Sequence, residues 1–530
     1  MVIVATPACR LSHQHIGHTC PCSQGEHLKN QKRKFLVPVA VAVAAALSMG
    51  AGAVSAKSNN AGVKSAGAKC TVKLNAGLDA TEGTNAGWLA QRIACGDKAP
   101  LKASGDPITI GFQNPEGPVI NFPEYRVAAE AAVSYINEQL GGIGADVAKG
   151  TPGRPLKLEV CKYNALVPAE LPGCANTLAA KNPLLVFASL AFGDAHFPIY
   201  QARKIPIIVG TPIFPKDFTS PATFAIGGGG GCLGVHLGLI TYATQYLLKD
   251  TLKKPTGGKV GVPWAKSAPG IFCYNDLEAK PLDVLAGKTL SGAKIASTAK
   301  LKGTMPKLSY VGVPVITGKA DVSAEVAQIL NFKPDVMIYS NQGSECWTWM
   351  NEMLKQGWTP KSFPVVLSGA CIDLVTMGKL GNSIKGIYTI GGLSILDPDA
   401  LTGFQKTAAV TYRDKMAKYS SDQKLNGTGF ATQGFAGVMN IWMMMNLAGG
   451  AKATGVDVQK QFKKTNGHVA FGATGMNCAK AIKPYIAVCA TEVSASQWTG
   501  TKLKAVKGAQ DFSGLVVVGK GDELRLEEVK

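Results

Sequence analysis

The sequence predicts an α/β protein made of two doubly wound, Rossmann-like lobes. Short apolar segments such as 184–190, 205–209 and 336–340 alternate with segments of helical periodicity from residue 107 onward. Continuous apolar strands between helices are typical of parallel sheets that helices cover on both faces. The chain has 530 residues, enough for two or three domains, and so many strands favour two sheets over one.

A (β/α)8 barrel is the alternative architecture, and two features argue against it. Five consecutive glycines at 227–231 interrupt the alternation, and segments 476–482 and 485–493 resemble an antiparallel hairpin that turns at 483–484. The glycines could bind an anion through backbone N–H groups. No phosphate-loop pattern of the G-x-x-x-x-G-K-[ST] type surrounds them, so we interpret them as a flexible crossover into a helix.

The composition excludes several classes of protein. Hydrophobic residues make up 46% and charged residues 17%, which argues against a disordered chain. The net charge of +20 comes from lysines spread along the chain, without basic tracts interleaved with aromatics. We therefore attribute the charge to solubility or to a polyanionic cell surface, and we expect no nucleic-acid partner.

The first 56 residues have the order of a secretory signal peptide with an upstream extension. A basic cluster at 32–34 is followed by an apolar run over 35–54 and by small residues that end at Ala56. We predict cleavage after Ala56, and an uncleaved membrane anchor is the alternative. The extension holds residues that could bind zinc, but we expect it to be removed with the signal peptide or to precede the true start codon, and we place no metal site there. These residues are Cys9, His13, His15, His18, Cys20, Cys22 and His27.

Ten of the 13 cysteines lie in the predicted mature chain. An even number behind an export signal indicates disulfides in an oxidising compartment. Ten cysteines allow about 945 pairings, so the count alone fixes none of them. Locality favours consecutive pairing, and the predicted hairpin places Cys478 opposite Cys489. The expected pairs are Cys70–Cys95, Cys161–Cys174, Cys232–Cys273, Cys346–Cys371 and Cys478–Cys489.

Catalytic motifs are absent from the predicted mature chain, so we expect no enzyme, no metal and no cofactor. Its histidines are His196, His236 and His468, and neither G-x-S-x-G nor H-E-x-x-H occurs. A secreted hydrolase that uses Asp194 and His196 is a weaker alternative. His196 more simply acts as a local hydrogen-bond partner at the start of a helix.

Several segments resemble type I periplasmic solute-binding proteins, in the branched-chain amino acid group of ABC importers. They are Ile110-Gly111-Phe112 with the Gly/Pro loop after it, the helix at 124–140 that ends in Gly141-Gly142-Ile143, the strand at 153–160, and segments 204–208 and 333–338. Their order and spacing cover residues 106–495. Cys161 and Cys174 also match a place where such proteins often carry a disulfide.

The resemblance implies two lobes joined by three crossovers, with ligand held between them and hinge closure around it. We assign residues 57–105 to a short N-terminal segment that a disulfide closes, and we call this segment the prelude. Residues 106–226 and 391–475 form lobe one, and residues 227–390 and 476–530 form lobe two.

The predicted cleft departs from the amino-acid pattern of this family. Hydroxyl positions are replaced by Phe192, Gly193, Ile213 and Phe214, and Gly369 and Ala370 stand where the family places an acid. We therefore predict a ligand more apolar than a free α-amino acid, covered by aromatic side chains. A shift of one or two residues in the comparison would restore Thr211 or Asp373 as zwitterion ligands. The predicted ligand-binding residues are Gln113, Glu116, Phe192, Gly193, Asp194, Ile213, Phe214, Trp264, Asn341, Gln342 and Asp373.

The sequence thus predicts an exported, monomeric binding protein in the periplasm or at the cell surface. It would capture a small organic ligand and deliver it to an ABC-type permease in the membrane. The alternative function is an extracellular ligand-sensing receptor module on the same fold.

Overall fold

The computed structural model describes residues 69–70, 85–288, 297–298, 307–392, 396–519 and 524–529. The predicted signal peptide and most of 57–84 in the predicted prelude lie outside the described residues. Among the described helices, none has the length and apolarity that crossing a membrane requires.

Seventeen strands lie in the described part of the chain. They are β1 (Ile108–Pro115), β2 (Leu156–Tyr163), β3 (Val186–Ala188), β4 (Ile207–Val209), β5 (Thr223–Ala225), β6 (Thr256–Lys266), β7 (Ser297–Thr298), β8 (Lys307–Ile316), β9 (Val336–Tyr339), β10 (Val365–Ser368), β11 (Tyr388–Gly391), β12 (His468–Ala470), β13 (Ala473–Met476), β14 (Ser494–Trp498), β15 (Leu503–Ala505), β16 (Leu515–Val518) and β17 (Arg525–Glu528).

Helices precede the first of these strands and separate many of the others. The α-helices are α1 (Ala86–Lys98), α2 (Pro123–Glu138), α3 (Glu170–Ala180), α4 (Phe197–Ala202), α5 (Pro215–Thr219), α6 (Leu237–Thr241), α7 (Ala268–Phe272), α8 (Ala279–Leu285), α9 (Ser323–Phe332), α10 (Gly343–Lys355), α11 (Leu374–Leu380), α12 (Gly403–Tyr419), α13 (Ala431–Leu447) and α14 (Gly455–Lys463). The π-helical segments, which extend α6, α7 and α8, are Cys232–His236, Tyr242–Thr251 and Cys273–Glu278. The short 3₁₀ turns are Gly369–Cys371, Gly381–Ile384, Pro398–Ala400, Gln423–Leu425, Gly450–Lys452 and Cys478–Lys480.

The first sheet has five parallel strands in the order β2-β1-β3-β4-β5. Its apolar side chains alternate between two faces, so Phe112 and Phe187 pack under α2 and α13, while Val186 and Ala188 face α3 and α4. The second sheet has the order β15-β14-β11-β10-β9-β6-β8, in which β14 and β15 are antiparallel to their neighbours. Two sheets with helices on both faces confirm the predicted fold class.

The predicted hairpin at 476–493 is wrong. β13 pairs with β12 instead, and residues 478–480 form a 3₁₀ turn. The backbone of the later segment bonds to β5: Ala225 N–H donates to Ala487 O at 2.8 Å, and Cys489 N–H donates to Ala225 O at 2.9 Å. Because these groups find partners on the first sheet, they cannot form a ladder with 476–482.

The structure joins all ten cysteines in consecutive pairs, with Cα–Cα distances from 4.1 to 5.7 Å. Cys70–Cys95 joins an earlier part of the prelude to α1, which lies in its second half. That helix packs on the first lobe through Trp88, whose ring lies 5.4 Å from that of Trp442. Arg92 of α1 donates to Leu140 O at 2.8 Å.

The glycine run at 227–231 leads from β5 into the helical run that starts at Cys232, as predicted for a crossover, and it is buried and tightly packed. A Cβ on Gly227 would lie 1.7 Å from Gly210 O, and one on Gly228 would lie 1.9 Å from Gly472 O. These residues are glycines because the backbones of neighbouring segments approach too closely for any side chain.

Candidate ligand-binding site

A cavity that is partly open to solvent lies where parallel strands of both sheets end. Residues after β4 and at the start of α13 form one wall. The other wall is formed by residues at or just after the ends of β6, β9, β10 and β11. Residues at the start of the helical run from Cys232 complete it. The lining residues are Thr211, Ile213, Gly231, Cys232, Val235, His236, Ala265, Ser267, Pro269, Gly270, Cys273, Ser340, Asn341, Gln342, Ser368, Gly369, Ala370, Gly391, Phe430 and Gln433.

A buried acid stands behind one wall of this cavity. The side chain of Glu278 is 1% exposed, and its Oε1 lies 2.5 Å from Nδ1 of His236, whose side chain is 17% exposed. The hydroxyl of Ser340 donates to the other oxygen, Oε2, at 3.0 Å. When Glu278 is a carboxylate, both of its oxygens accept hydrogen bonds, and Nδ1 of His236 is the donor to Oε1. Nε2 is therefore the ring nitrogen left for a ligand.

Three helical runs begin at the cavity. They start at Cys232, at Ala268 and at Gly343, each directly after cavity-lining residues. The N-terminal end of a helix carries partial positive charge and unpaired N–H groups. The second lobe therefore presents a positive potential to the cavity, although neither lysine nor arginine lines it among the described residues.

Hydroxyl and amide groups supply directional hydrogen bonding. Thr211 donates to Oε1 of Gln433, which leaves the amide NH₂ of Gln433 available. Asn341 is held in place because its Nδ2 donates to the hydroxyl of Tyr339 at 2.7 Å and its Oδ1 accepts from Gln342 N–H at 2.9 Å.

The disulfide Cys232–Cys273 forms part of the cavity wall and touches the opposite lobe. Sγ of Cys273 lies 3.7 Å from Ile213 O. Cys232, His236 and Cys273 also bring their ligand-type atoms within 4.8 Å of one another, the one such group among the described residues. Because both sulfurs are in a disulfide, they are not the thiolates that a metal requires.

Three of the predicted site residues line the cavity, namely Ile213, Asn341 and Gln342. The turn that carries Ile213 is shaped by Asp217, whose carboxylate accepts from the backbone N–H of Ile213 at 3.0 Å and of Phe214 at 2.9 Å. Burial raises the pKa of Asp217 to about 7.

The aromatic side chains predicted to cover the ligand are not among those lining the cavity. Phe192 stacks on Phe122 with ring centroids 6.5 Å apart. Trp264 stacks on Tyr274 at 4.5 Å. Phe214 directly precedes α5, and its backbone N–H donates to Asp217. The aromatic lining residue is Phe430.

The remaining predicted residues make contacts elsewhere. Gln113 is fully buried and accepts from the hydroxyl of Tyr200 at 2.7 Å. Glu116 pairs with Arg126 at 2.7 Å. Asp194, next to Gly193, pairs with Lys216 at 3.2 Å.

Asp373 is occupied as the N-cap of α11. It accepts from the backbone N–H groups of Val375 and Thr376, each at 3.0 Å. Helix capping is therefore a sufficient reason for an aspartate at position 373, and no role in ligand binding is needed to explain it.

The sequence analysis missed His236, Ser340, Ser368 and Gln433. Ser340 and Ser368 could have been found, because each stands at the carboxyl end of an apolar strand. His236 lies one helical turn after Cys232. It stands out as a site residue only through its contact with Glu278, which is 42 residues away in sequence.

Comparisons with known proteins bear on the fold. The family model described as periplasmic binding protein matches residues 275–487. No curated protein matches the sequence. A solute-binding protein of an ABC transporter from Rhodopseudomonas palustris, in complex with 4-hydroxybenzoate, superposes with a TM-score of 0.55 at 13% identity, covering 77% of this chain and 98% of that one.

Two further solved structures are similar to this chain to the same degree. A branched-chain amino acid ABC transporter protein from Thermus thermophilus with bound valine gives a TM-score of 0.55 at 11% identity, covering 78% of this chain and 97% of that one. A solute-binding protein from Rhodopseudomonas palustris BisB5, in complex with 3,4-dihydroxybenzoic acid, gives 0.54 at 14% identity, covering 76% and 97%. This chain has the type I periplasmic binding protein fold. At these identities the likeness concerns the fold, and the ligand has to be argued from the cavity itself.

Proposed function

We propose that the protein captures a small organic ligand between its lobes and delivers it to an ABC-type permease. The observation that carries this proposal is the cavity at the carboxyl ends of strands from both sheets, the usual ligand position in doubly wound proteins. Structures of similar fold hold valine or hydroxylated benzoates, which shows that this architecture accommodates such ligands.

The proposal includes three crossovers that act as a hinge. The first is the glycine run at 227–231, and the second follows β11. We place the third between Ala490 and β14, because residues 485–489 still lie beside β5 and β14 already belongs to the second sheet. Lobe one would thus be 106–226 with 392–490, and lobe two 227–391 with 491–530.

We further propose that the ligand is not a free α-amino acid. An α-ammonium group buried in a closing cleft needs a carboxylate or several acceptors. Among the described residues, neither aspartate nor glutamate lines the cavity.

Export is part of the same proposal. Mass spectrometry of the protein recovered from cell envelopes should find Lys57 at its N-terminus. A protein that still contains residues 35–54 would instead be membrane-tethered.

The binding function is tested with a thermal-shift screen followed by calorimetry. Compounds that bind only the folded protein raise its melting temperature. The screen should cover amino acids, aromatic and aliphatic carboxylic acids, and their neutral amides. Ala265→Trp, which fills the cavity, should abolish binding of any hit. The matched control, Val456→Trp at an exposed position, should bind as the parent does. Equal binding by Ala265→Trp and the parent would contradict the assignment of the site.

A further inference from the structure

Resting on the proposed function, we infer that the ligand is a carboxylate without an ammonium group and that His236 binds its carboxylate through Nε2–H. Glu278 and Ser340 act as positioning residues that hold the ring and its charge.

The first argument is the paired arrangement behind His236. A carboxylate as buried as that of Glu278 is stable when it faces a cation and its oxygens are hydrogen-bonded. Nδ1 of His236 lies 2.5 Å from one oxygen of this carboxylate, and the hydroxyl of Ser340 donates to the other. The inference includes a His236 ring that carries a proton on each nitrogen, with Nδ1–H directed at Glu278. An imidazolium presents Nε2–H, a charged donor, to whatever occupies the cavity.

The second argument is the partial positive charge of the helix N-terminal ends in the second-lobe wall. The helical runs from Cys232, Ala268 and Gly343 begin at the cavity, and their N-terminal ends favour an anion. Their potential adds to that of the His236 imidazolium on the same side. A ligand carboxylate placed there faces these partial positive charges, whereas an ammonium group would face them without an acidic partner among the lining residues.

The third argument concerns the body of the ligand. Four apolar side chains also line the cavity, two from each lobe: Ile213, Val235, Pro269 and Phe430. A hydrocarbon or aromatic body gains free energy from contact with these side chains. The cavity therefore matches a molecule with one charged end and one apolar end.

The inference is tested with two sets of probes that differ in one group only. The first set is 4-methylpentanoate, its neutral amide 4-methylpentanamide, and leucine, which is the same acid with an added ammonium group. The second set is 3-phenylpropanoate, 3-phenylpropanamide and phenylalanine. By calorimetry, the acid should bind about tenfold or more tightly than its amide and its amino acid, because it alone forms a charge-assisted bond with His236.

Variants then assign the preference to named residues. His236→Gln should reduce the ratio of acid to amide affinity to about one, since it removes the charge but keeps a polar side chain. Glu278→Gln should lower the same ratio without abolishing amide binding. His468→Gln, at a histidine of the β12–β13 hairpin, is the matched control and should keep the ratio of the parent. Retained amide binding shows that a variant is folded.

The outcomes separate this inference from the proposed function. Preference for the amide or the amino acid, or a ratio that His236→Gln leaves unchanged, would overturn the inference while ligand binding stands. If none of the six probes binds, the compounds found in the wider screen decide: hits without a carboxylate overturn the inference alone. A screen without any hit would remove the proposed function and the inference together.

Discussion

Gly429 donates its backbone N–H to the carbonyl oxygen of Ile372 at 2.6 Å, and Leu374 N–H donates to Gly427 O at 3.1 Å. Residues 372–374 follow β10 of the second sheet, whereas 427–429 precede α13, which packs on the first. The two lobes are therefore joined by a short antiparallel backbone bridge between Asp373 and Thr428. A bridge of this kind stabilises the closed arrangement of a hinged protein.

Leu374→Pro should weaken this bridge and open the cleft. Leu374 is the first residue of α11, where proline is tolerated because its N–H is not needed by the helix. The substitution removes the N–H that reaches Gly427. Loss of one hydrogen bond of about 1 kcal/mol predicts about fivefold weaker ligand binding. Small-angle scattering should show a larger radius of gyration for the ligand-free variant.

The matched control is Leu374→Ala, which shortens the same side chain and keeps the backbone N–H. We expect it to retain the radius of gyration of the parent. If Leu374→Ala and Leu374→Pro open the cleft equally, the leucine side chain rather than the backbone bridge holds the lobes together.

Gly227→Ala should destabilise the protein strongly. Its Cβ would lie 1.7 Å from Gly210 O, a backbone atom that cannot move without disturbing β4. Overpacking of this kind typically costs about 1–3 kcal/mol or more. Urea denaturation should show a lower midpoint. Gly173→Ala is the matched control: it lies in α3 with no atom within 4 Å of its Cβ, so we expect equal or greater stability, because alanine favours helix.

Glu124→Gln should reduce the loss of stability that the protein shows when the pH is raised from 5 to 8. Burial raises the pKa of Glu124 to about 7 in the folded protein, from 4.5. The folded state thus binds more protons than the unfolded state in this range, and stability decreases as pH rises from 4.5 to about 7. Once Glu124 is fully ionised in the folded protein, the free energy of unfolding has fallen by about 3 kcal/mol. Denaturation at both pH values should show the variant gaining stability at pH 8 and little at pH 5. Equal pH dependence in the two proteins would contradict the assignment.

His196→Phe should protect the protein against acid. His196 is buried beside Phe197, with ring centroids 4.3 Å apart, and burial lowers its pKa to about 4 from 6.5. The neutral ring is favoured in the folded state, so its contribution to stability is lost as pH falls from 6.5 to about 4. The variant has no group to titrate there. Its melting temperature should fall less between pH 7 and pH 4.5 than that of the parent, and an identical fall would refute the prediction.

Local patterns in the sequence were enough to predict much of the fold. The apolar segment 336–340 contains β9 (Val336–Tyr339), and the predicted helix at 124–140 corresponds to α2 (Pro123–Glu138). Strand ends were predictable for the same reason, which explains why Ile213, Asn341 and Gln342 lie in the cavity wall. These features depend on residues near each other in the chain.

The features that were missed depend on distant partners. Trp264 could face a cleft or a core, and the stacked ring of Tyr274 decides between them. The segment around Cys489 has the alternation of a hairpin strand, yet β5, more than 260 residues earlier, takes its hydrogen bonds. His236 became a candidate only when Glu278 and Ser340 were found beside it. Tertiary partners override local pattern in each case.

Replacing Cys232 and Cys273 by alanine should change both stability and ligand binding. This disulfide spans 41 residues, and in the chain-entropy model its loss costs about 3–4 kcal/mol. It also forms cavity wall next to His236 and touches Ile213 of the opposite lobe. Without it, the start of the helix that carries His236 is less firmly placed, so the affinity for ligand should fall together with the denaturation midpoint.

The matched control replaces Cys70 and Cys95, whose disulfide spans 25 residues and joins an earlier part of the prelude to α1, outside the cavity. The entropic loss is of similar size, about 3–4 kcal/mol. Urea denaturation should therefore show comparable destabilisation of the two variants, whereas calorimetry should show weaker ligand binding only when Cys232 and Cys273 are replaced. Because stability falls in both, a difference in affinity reports the position of the disulfide in the cavity wall. Equal affinities would mean that Cys232–Cys273 acts on folding alone.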